Sequence, residues 1–102
     1  MEQKKPHYDL SVVQADVVRL AGAAFTKSAL LGGLGLGLAV PQMLRIIAGL
    51  RKTDFYKSMT CYQDHRQWQD VYHPRLPSGL ELYVKVTYRL GQCSPVISFK
   101  EK

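Results

Sequence analysis

Between Asp54 and Arg75 the chain concentrates side chains that can handle a nucleic acid. Phe55, Tyr56, Tyr62, Trp68 and Tyr72, half of the ten aromatics, alternate with Lys57, Arg66, Arg75, His65 and His73. Aromatic faces stack on bases and cations bind phosphates, so the mixture suits single-stranded RNA. Composition alone favours a plainer alternative, a buried aromatic cluster with solvated charges between its members. Asp54, Asp64 and Asp70 also cancel the three lysine and arginine charges of this stretch. Further on, the alternation from Leu80 to Arg89 puts Tyr83 and Lys85 on the polar side of a strand, and the last strand adds Lys100. RNA carries its own nucleophile, the 2′-OH. A protein that cuts it needs a base for that hydroxyl, cations for the phosphorane and an acid for the leaving 5′-oxygen. His7 and His73 titrate in the range for acid–base work, but a lone histidine is more often a surface residue.

Four separated blocks narrow the choice. DFYKSM (54–59), WQDVYHPRL (68–76), LYVKVT (82–87) and VISFKEK (96–102) stand in that order, and PHYDLSVV (6–13) precedes them. Together they resemble the MqsR family, the motility quorum-sensing regulator toxins. The resemblance implies a RelE-like, ribosome-independent messenger-RNA endoribonuclease that cuts at short GC-containing sites. It also implies a cognate antitoxin, a DNA-binding repressor whose N-terminal domain contains zinc. By the same likeness Lys57, Gln69, Tyr83 and Lys100 form the catalytic set, with Tyr83 and one lysine moving protons, the other lysine meeting phosphate charge and Gln69 positioning. Tyr56, Met59, His73, Arg75 and Lys85 flank that set as RNA contacts. Tyrosine and lysine titrate near 10 in isolation, and clustering Lys57, Lys85 and Lys100 is expected to favour the neutral amine and the phenolate.

Composition bounds these readings. At 102 residues and 46% apolar, the chain is expected to form a single domain spanning 1–102. Its net charge is +6, and residues 1–53 carry seven cations against three acids while 54–75 balance. A basic chain is compatible with a polyanionic partner without establishing one. Cys61 and Cys93 lack CxxC spacing and are expected as free thiols in a reducing cytoplasm. Cys61 and His65 have a ligand-like gap, but no second pair completes a zinc site, so neither metal nor cofactor is expected. The start, Met1 to Lys5 leading into His7 and Asp9, is not a signal peptide.

The elements that must position this chemistry read as α+β, with N-terminal helices packed on a C-terminal antiparallel sheet of RelE-like type. Leu10, Val13, Val17 and Leu20 lie on one face of a helix over 9–21, capped by Asp9 or by a Ser11–Gln14 box and stopped by Gly22. The apolar run 28–44 is interrupted by four glycines and Pro41. It is therefore read as a short helix over 27–31, a glycine-rich loop, and a helix over 41–50 that points Leu44, Ile47 and Leu50 inward, rather than as a membrane span. Thr53 caps a predicted short helix through Tyr62. Residues 67–73 alternate, with Trp68, Asp70 and Tyr72 on one side and Gln69 and Val71 on the other. A turn at 76–79 leads into the strand 80–89, a second turn over 91–95 follows, and the last strand sends Ile97 and Phe99 to the core. Two rival functions stand beside the nuclease: a non-catalytic RNA-binding module, and a protein-interaction domain associated with membranes through residues 30–40.

Overall fold

Asp9 begins the first helix as expected, its carboxylate accepting from the Ser11 backbone N–H at 2.9 Å. The computed structural model describes residues 2–62, 64–89 and 95–102. Helix α1 (Leu10–Leu20) buries Val13 and Val17, and it ends because Ala21 takes φ 51°, so the left-handed residue precedes Gly22. Gln14 is not part of a capping box. Its amide donates to the carbonyls of Ile47, Ala48 and Leu50 at 3.0–3.1 Å. The two hydrogens of one amide nitrogen are thereby shared among carbonyls at and just beyond the end of another helix.

The glycine-rich run departs from expectation. Helix α2 spans Lys27–Gly35, capped by the Thr26 hydroxyl on the Ala29 N–H at 3.0 Å. It runs through Gly32 and Gly33 rather than ending at Leu31. Glycine disfavours a helix in isolation, but here it permits contacts that any side chain would block. A Cβ on Gly32 would lie 2.9 Å from the Phe99 carbonyl oxygen, and one on Gly33 would lie 2.5 Å from the Met43 sulfur. Close packing on the sheet and on the next helix outweighs local preference. Helix α3 (Val40–Ala48) carries Pro41 in its first turn and buries Met43 and Ile47, with Leu50 buried just beyond. Leu44 packs at the margin of the core. No single helix among the described residues is long and apolar enough to cross a membrane, and α2 and α3 meet at a bend of 101°.

These contacts predict opposite signs for two similar changes. Gly32→Ala should lower stability by about 1–3 kcal/mol, because a strand carbonyl has to move. Gly35→Ala meets nothing within 4 Å and should raise it by up to about 1 kcal/mol. Thermal melting followed by circular dichroism checks both.

The predicted helix from Thr53 to Tyr62 is wrong. After one 3-10 turn (Lys52–Asp54) the chain becomes strand β2 (Phe55–Thr60). The capping signal at Thr53 and Asp54 is spent on that single turn, where Asp54 accepts from the Arg51 N–H at 2.9 Å. Pairing on both edges then wins, since β2 lies between β1 (Glu2–Gln3) and β3 (Trp68–Tyr72). Strand β1 was not anticipated, because two residues carry no readable period. Strands β4 (Leu82–Tyr88) and β5 (Pro95–Glu101) complete an antiparallel sheet in the order β1-β2-β3-β4-β5. The 76–79 turn forms, with the Gly79 N–H donating to the Leu76 carbonyl at 2.8 Å. Residues 91–94 of the next expected turn lie outside the described residues.

The α+β arrangement thus holds, with all three helices before β2 and packed against one face of the sheet. That face supplies Tyr72, Leu82, Val84, Val86, Ile97 and Phe99 to the core. It also holds Asp70, which is 1% exposed and accepts from the backbone N–H groups of His7 and Tyr8 at 3.0 and 2.9 Å. A buried carboxylate is tolerated only with such donors, so Asp70 anchors the N-terminal segment. His7 stacks on Trp68 in the same region, ring centroids 5.1 Å apart, and so sits away from the polar face.

One buried phenol, Tyr72, and one half-buried phenol, Tyr88, make the fold sensitive to alkali. Burial is the main cause that pushes Tyr72 up to about 12, with Asp70 adding to it. Burial and the hydrogen bond to Asp16 at 2.6 Å push Tyr88 higher still. Unfolded phenols ionise near 10, so the contribution of these groups is complete below that pH and is lost as pH rises toward the folded values. The melting temperature should fall steeply between pH 10 and 12, and a Tyr88→Phe variant should fall less.

Candidate active site on the open face of the sheet

Strand register sorts the face away from the helices into rows of side chains. Met59, Gln69, Thr87 and Val96 form the first row, and Lys57, Val71, Lys85 and Ser98 the second. In the third, Tyr83 pairs with Lys100, and His73 reaches across from the end of β3 with its ring 5.1 Å from that of Tyr83. In the fourth, Glu81 holds Lys102 at 3.0 Å and Arg75 at 3.7 Å. Neighbouring strands stand about 4.8 Å apart and same-side residues about 6.7 Å apart along a strand, so the second and third rows form one patch.

A register shift between Phe55 and Lys57 shapes the near end of this patch. Phe55 turns inward to meet Tyr72 edge-on at 5.5 Å. Tyr56 lies on His73, 4.3 Å between ring centroids at 20°. A bulge that re-aims a side chain at the rim of a sheet is a recurrent feature of functional surfaces. The Lys57 ammonium is 5.4 Å from the Tyr56 ring, and those of Lys85 and Lys100 are 5.5 and 5.2 Å from the Tyr83 ring. Cations within about 6 Å of a ring face are attracted to it, which gathers three ammonium groups around two phenols.

Of the residues singled out from the sequence, Lys57, Tyr83, Lys85 and Lys100 come together with Tyr56 and His73. Gln69 shares the face but not the cluster: it stands opposite Met59, two same-side steps from the Tyr83 row, or about 13 Å along the sheet. Gln69 and Met59 therefore bound one end of the patch, and Arg75 bounds the other.

The electrostatics correct one expectation. Lys57 was expected to lose its proton readily among other cations. Instead it donates to the Glu2 carboxylate at 2.7 Å. That hydrogen bond and the charge of Glu2 hold the ammonium above the usual lysine range, with Tyr56 and Tyr83 adding in the same direction against partial burial. Lys57 is therefore a permanent cation at neutral pH. Glu2, held below the usual carboxylate range chiefly by the same bond, is the site residue that sequence reasoning missed, because only the pairing of β1 with β2 brings it there. Glu2→Gln should bring the Lys57 pKa down toward 10.5, read from the Lys57 side-chain resonances in an NMR titration.

Burial, reinforced by Lys102 and opposed by Glu81, holds the His73 imidazole below its usual value. Its Nε2 is buried with no hydrogen-bond partner. His73 thus lies as a plate between Tyr56 and Tyr83, in contact with both rings. Among the described residues no three His, Cys, Asp or Glu side chains are grouped to hold a metal ion. Cys61 is a free, half-buried thiol, and Cys93 lies outside the described residues.

Helices cover one face of an antiparallel sheet, and on its other face lysines surround a phenol, with Glu2 and Glu81 the carboxylates beside them among the described residues. The class so defined is a small α+β domain with a basic, phenolic surface on the open side of its sheet, and its α+β arrangement is the one that the resemblance implied. The chain belongs to the family described as motility quorum-sensing regulator, toxin of MqsA, which it matches over residues 5–101. It is also 46% identical over 102 residues to the mRNA interferase toxin MqsR of Escherichia coli (strain K12), covering 100% of both chains.

Proposed function

We propose that residues 1–102 act as one catalytic domain, an mRNA interferase toxin that cuts single-stranded messenger RNA through 2′-OH attack. The observation that carries this reading is the convergence of Tyr83, Lys85 and Lys100 with Tyr56 and Lys57 on one open surface, in a chain of a toxin family. In the reaction the 2′-oxygen loses its proton and forms a bond to phosphorus. The bond from phosphorus to the 5′-oxygen breaks and that oxygen takes up a proton. The products are a 2′,3′-cyclic phosphate and a 5′-OH.

Tyr83 and Lys100 pass these protons, one of them in its deprotonated form taking the 2′-proton and the other giving its proton to the 5′-oxygen. Lys57, kept charged by Glu2, meets the negative charge that builds on the phosphorane, and Lys85 adds to that field. Tyr56 offers a ring for stacking a base. Gln69 and Met59 lie where the next nucleotide would pass, suited to orienting it, and Arg75 contacts a phosphate on the opposite side. The RNA's 2′-OH, a proton acceptor and donor drawn from Tyr83 and Lys100, and the ammonium charges of Lys57 and Lys85 account for each step without a metal or cofactor. The site of action is the cytoplasm, where messages are translated, and cleavage falls at short, GC-containing sequences. A cognate antitoxin, a zinc-containing and DNA-binding repressor, is the partner that neutralises the toxin.

Purified protein incubated with an unstructured RNA in EDTA tests the reading. Cleavage is expected. RNA that is retarded in a gel but left intact would favour a non-catalytic RNA-binding module instead.

A further inference from the structure

A second basic concavity lies around the edge of the sheet from the lysine–tyrosine patch. It is a cleft of about 980 Å³ between the N-terminal segment, the start of α1 and the 3-10 turn before β2. Lys4, Lys5, Arg51 and Lys52 line it, all exposed. Among the described residues none of these four is within ion-pair distance of a carboxylate, unlike Lys57, Arg66, Arg75 and Lys102. Asp9 is the one acid in the lining, and its carboxylate is already engaged by the backbone and hydroxyl of Ser11 at 2.9 and 2.6 Å. Four cations against one engaged acid leave the lining of this open cleft net positive, which favours a polyanion.

The cleft is connected to the patch. Lys4 also lines a smaller concavity of about 270 Å³ together with Glu2, Gln3, Tyr56 and Lys57, where the Glu2 carboxylate is taken up by Lys57 at 2.7 Å. The β2 bulge splits adjacent residues between the two, Phe55 facing the large cleft and Tyr56 the small one. A chain of negative charges lying on Lys57 would pass Lys4 and meet Lys5, Arg51 and Lys52 in turn.

We infer that this cleft is an extended subsite for the backbone phosphates of single-stranded RNA flanking the cleaved bond, with Lys5, Arg51 and Lys52 as its phosphate contacts. The inference rests on the nuclease reading for its ligand. Continuity with the patch through Lys4 favours RNA over an acidic polypeptide, because repeated phosphates on one strand can occupy both surfaces at once. Three such contacts on a single strand correspond to a salt slope of about 2 in log affinity against log salt.

The test uses the full chain and a triple variant, Lys5→Ala, Arg51→Ala and Lys52→Ala, whose melting temperature should match the parent because all three side chains are exposed. Two RNAs share one cleavage site, a short one of about 5 nucleotides and a long one of about 15. For the parent the long RNA should show a KM lower by about 10-fold or more, and a salt dependence steeper by about 2. In the triple variant the long RNA should lose both advantages with kcat unchanged, while the short RNA is cut with its KM nearly unaltered. A triple variant that keeps the length advantage and the salt slope overturns the inference. So does one that keeps them while losing affinity for polyglutamate, which would assign the cleft to an acidic protein segment. If the parent cuts neither RNA, the nuclease reading fails. Fluorescence anisotropy with a 2′-deoxy-substituted long strand then decides the subsite separately, since the variant must still bind that strand more weakly with a shallower salt slope.

Discussion

Replacing Tyr83 with Phe is expected to slow RNA cleavage by about 10²- to 10⁴-fold, the range that proton transfer by a placed side chain contributes. The change removes one oxygen and keeps the ring. Tyr83 lies on the open face of β4, flanked by Lys85 at 5.5 Å and Lys100 at 5.2 Å from its ring, with His73 beside it at 5.1 Å. Phenylalanine preserves these ring contacts, so the fold and the position of His73 should survive. The loss should therefore appear in kcat, with KM for RNA changed little. Single-turnover cleavage of a fluorescent RNA, with melting curves for both proteins, measures it. A rate within threefold of the parent would remove Tyr83 from the proton path.

Lys57→Ala is expected to cost about 10²- to 10³-fold in kcat, the scale seen when a fixed donor to developing charge is removed. Because Glu2 holds Lys57 as an ammonium, its contribution is charge and not basicity. Lys57→Arg should accordingly recover part of the rate, which a base could not do, since arginine does not deprotonate in proteins. The alanine variant also leaves Glu2 without its partner beside the phosphate path, so part of its loss is repulsion. The double variant Glu2→Gln with Lys57→Ala separates the two effects and should be faster than Lys57→Ala alone. An arginine variant as slow as the alanine one would argue that Lys57 transfers a proton.

The strand β4 was legible because its alternation is complete from Leu82 to Tyr88, and alternation fixes which side chains share a face. That one fact, with the periods of residues 67–73 and 96–100, puts Tyr83, Lys85, Lys100 and Gln69 on the same surface from pattern alone. What stayed hidden depends on contacts between distant residues. The segment 53–62 carried good capping residues and became a strand, because β1 and β3 pair with it on either side. Gly32 and Gly33 read as loop formers and are helical, because Phe99 and Met43 need the space. Glu2 could not be found at all from its neighbours in sequence, yet its carboxylate binds Lys57 and holds that ammonium above the usual lysine range. The surroundings of His73, a buried Nε2 and a ring lying between those of two tyrosines, were equally out of reach of the sequence.

On the proposed reaction the RNA supplies the nucleophile, and this surface only moves protons and holds charge. The most direct measurement takes one RNA with a mapped cleavage site and replaces the single 2′-OH before the cut by hydrogen, in EDTA, with the ends of all products identified by mass. The account predicts a 2′,3′-cyclic phosphate and a 5′-OH from the parent RNA, and no cut at the substituted position. Cleavage there at an undiminished rate, or a 5′-phosphate on the product, would contradict it.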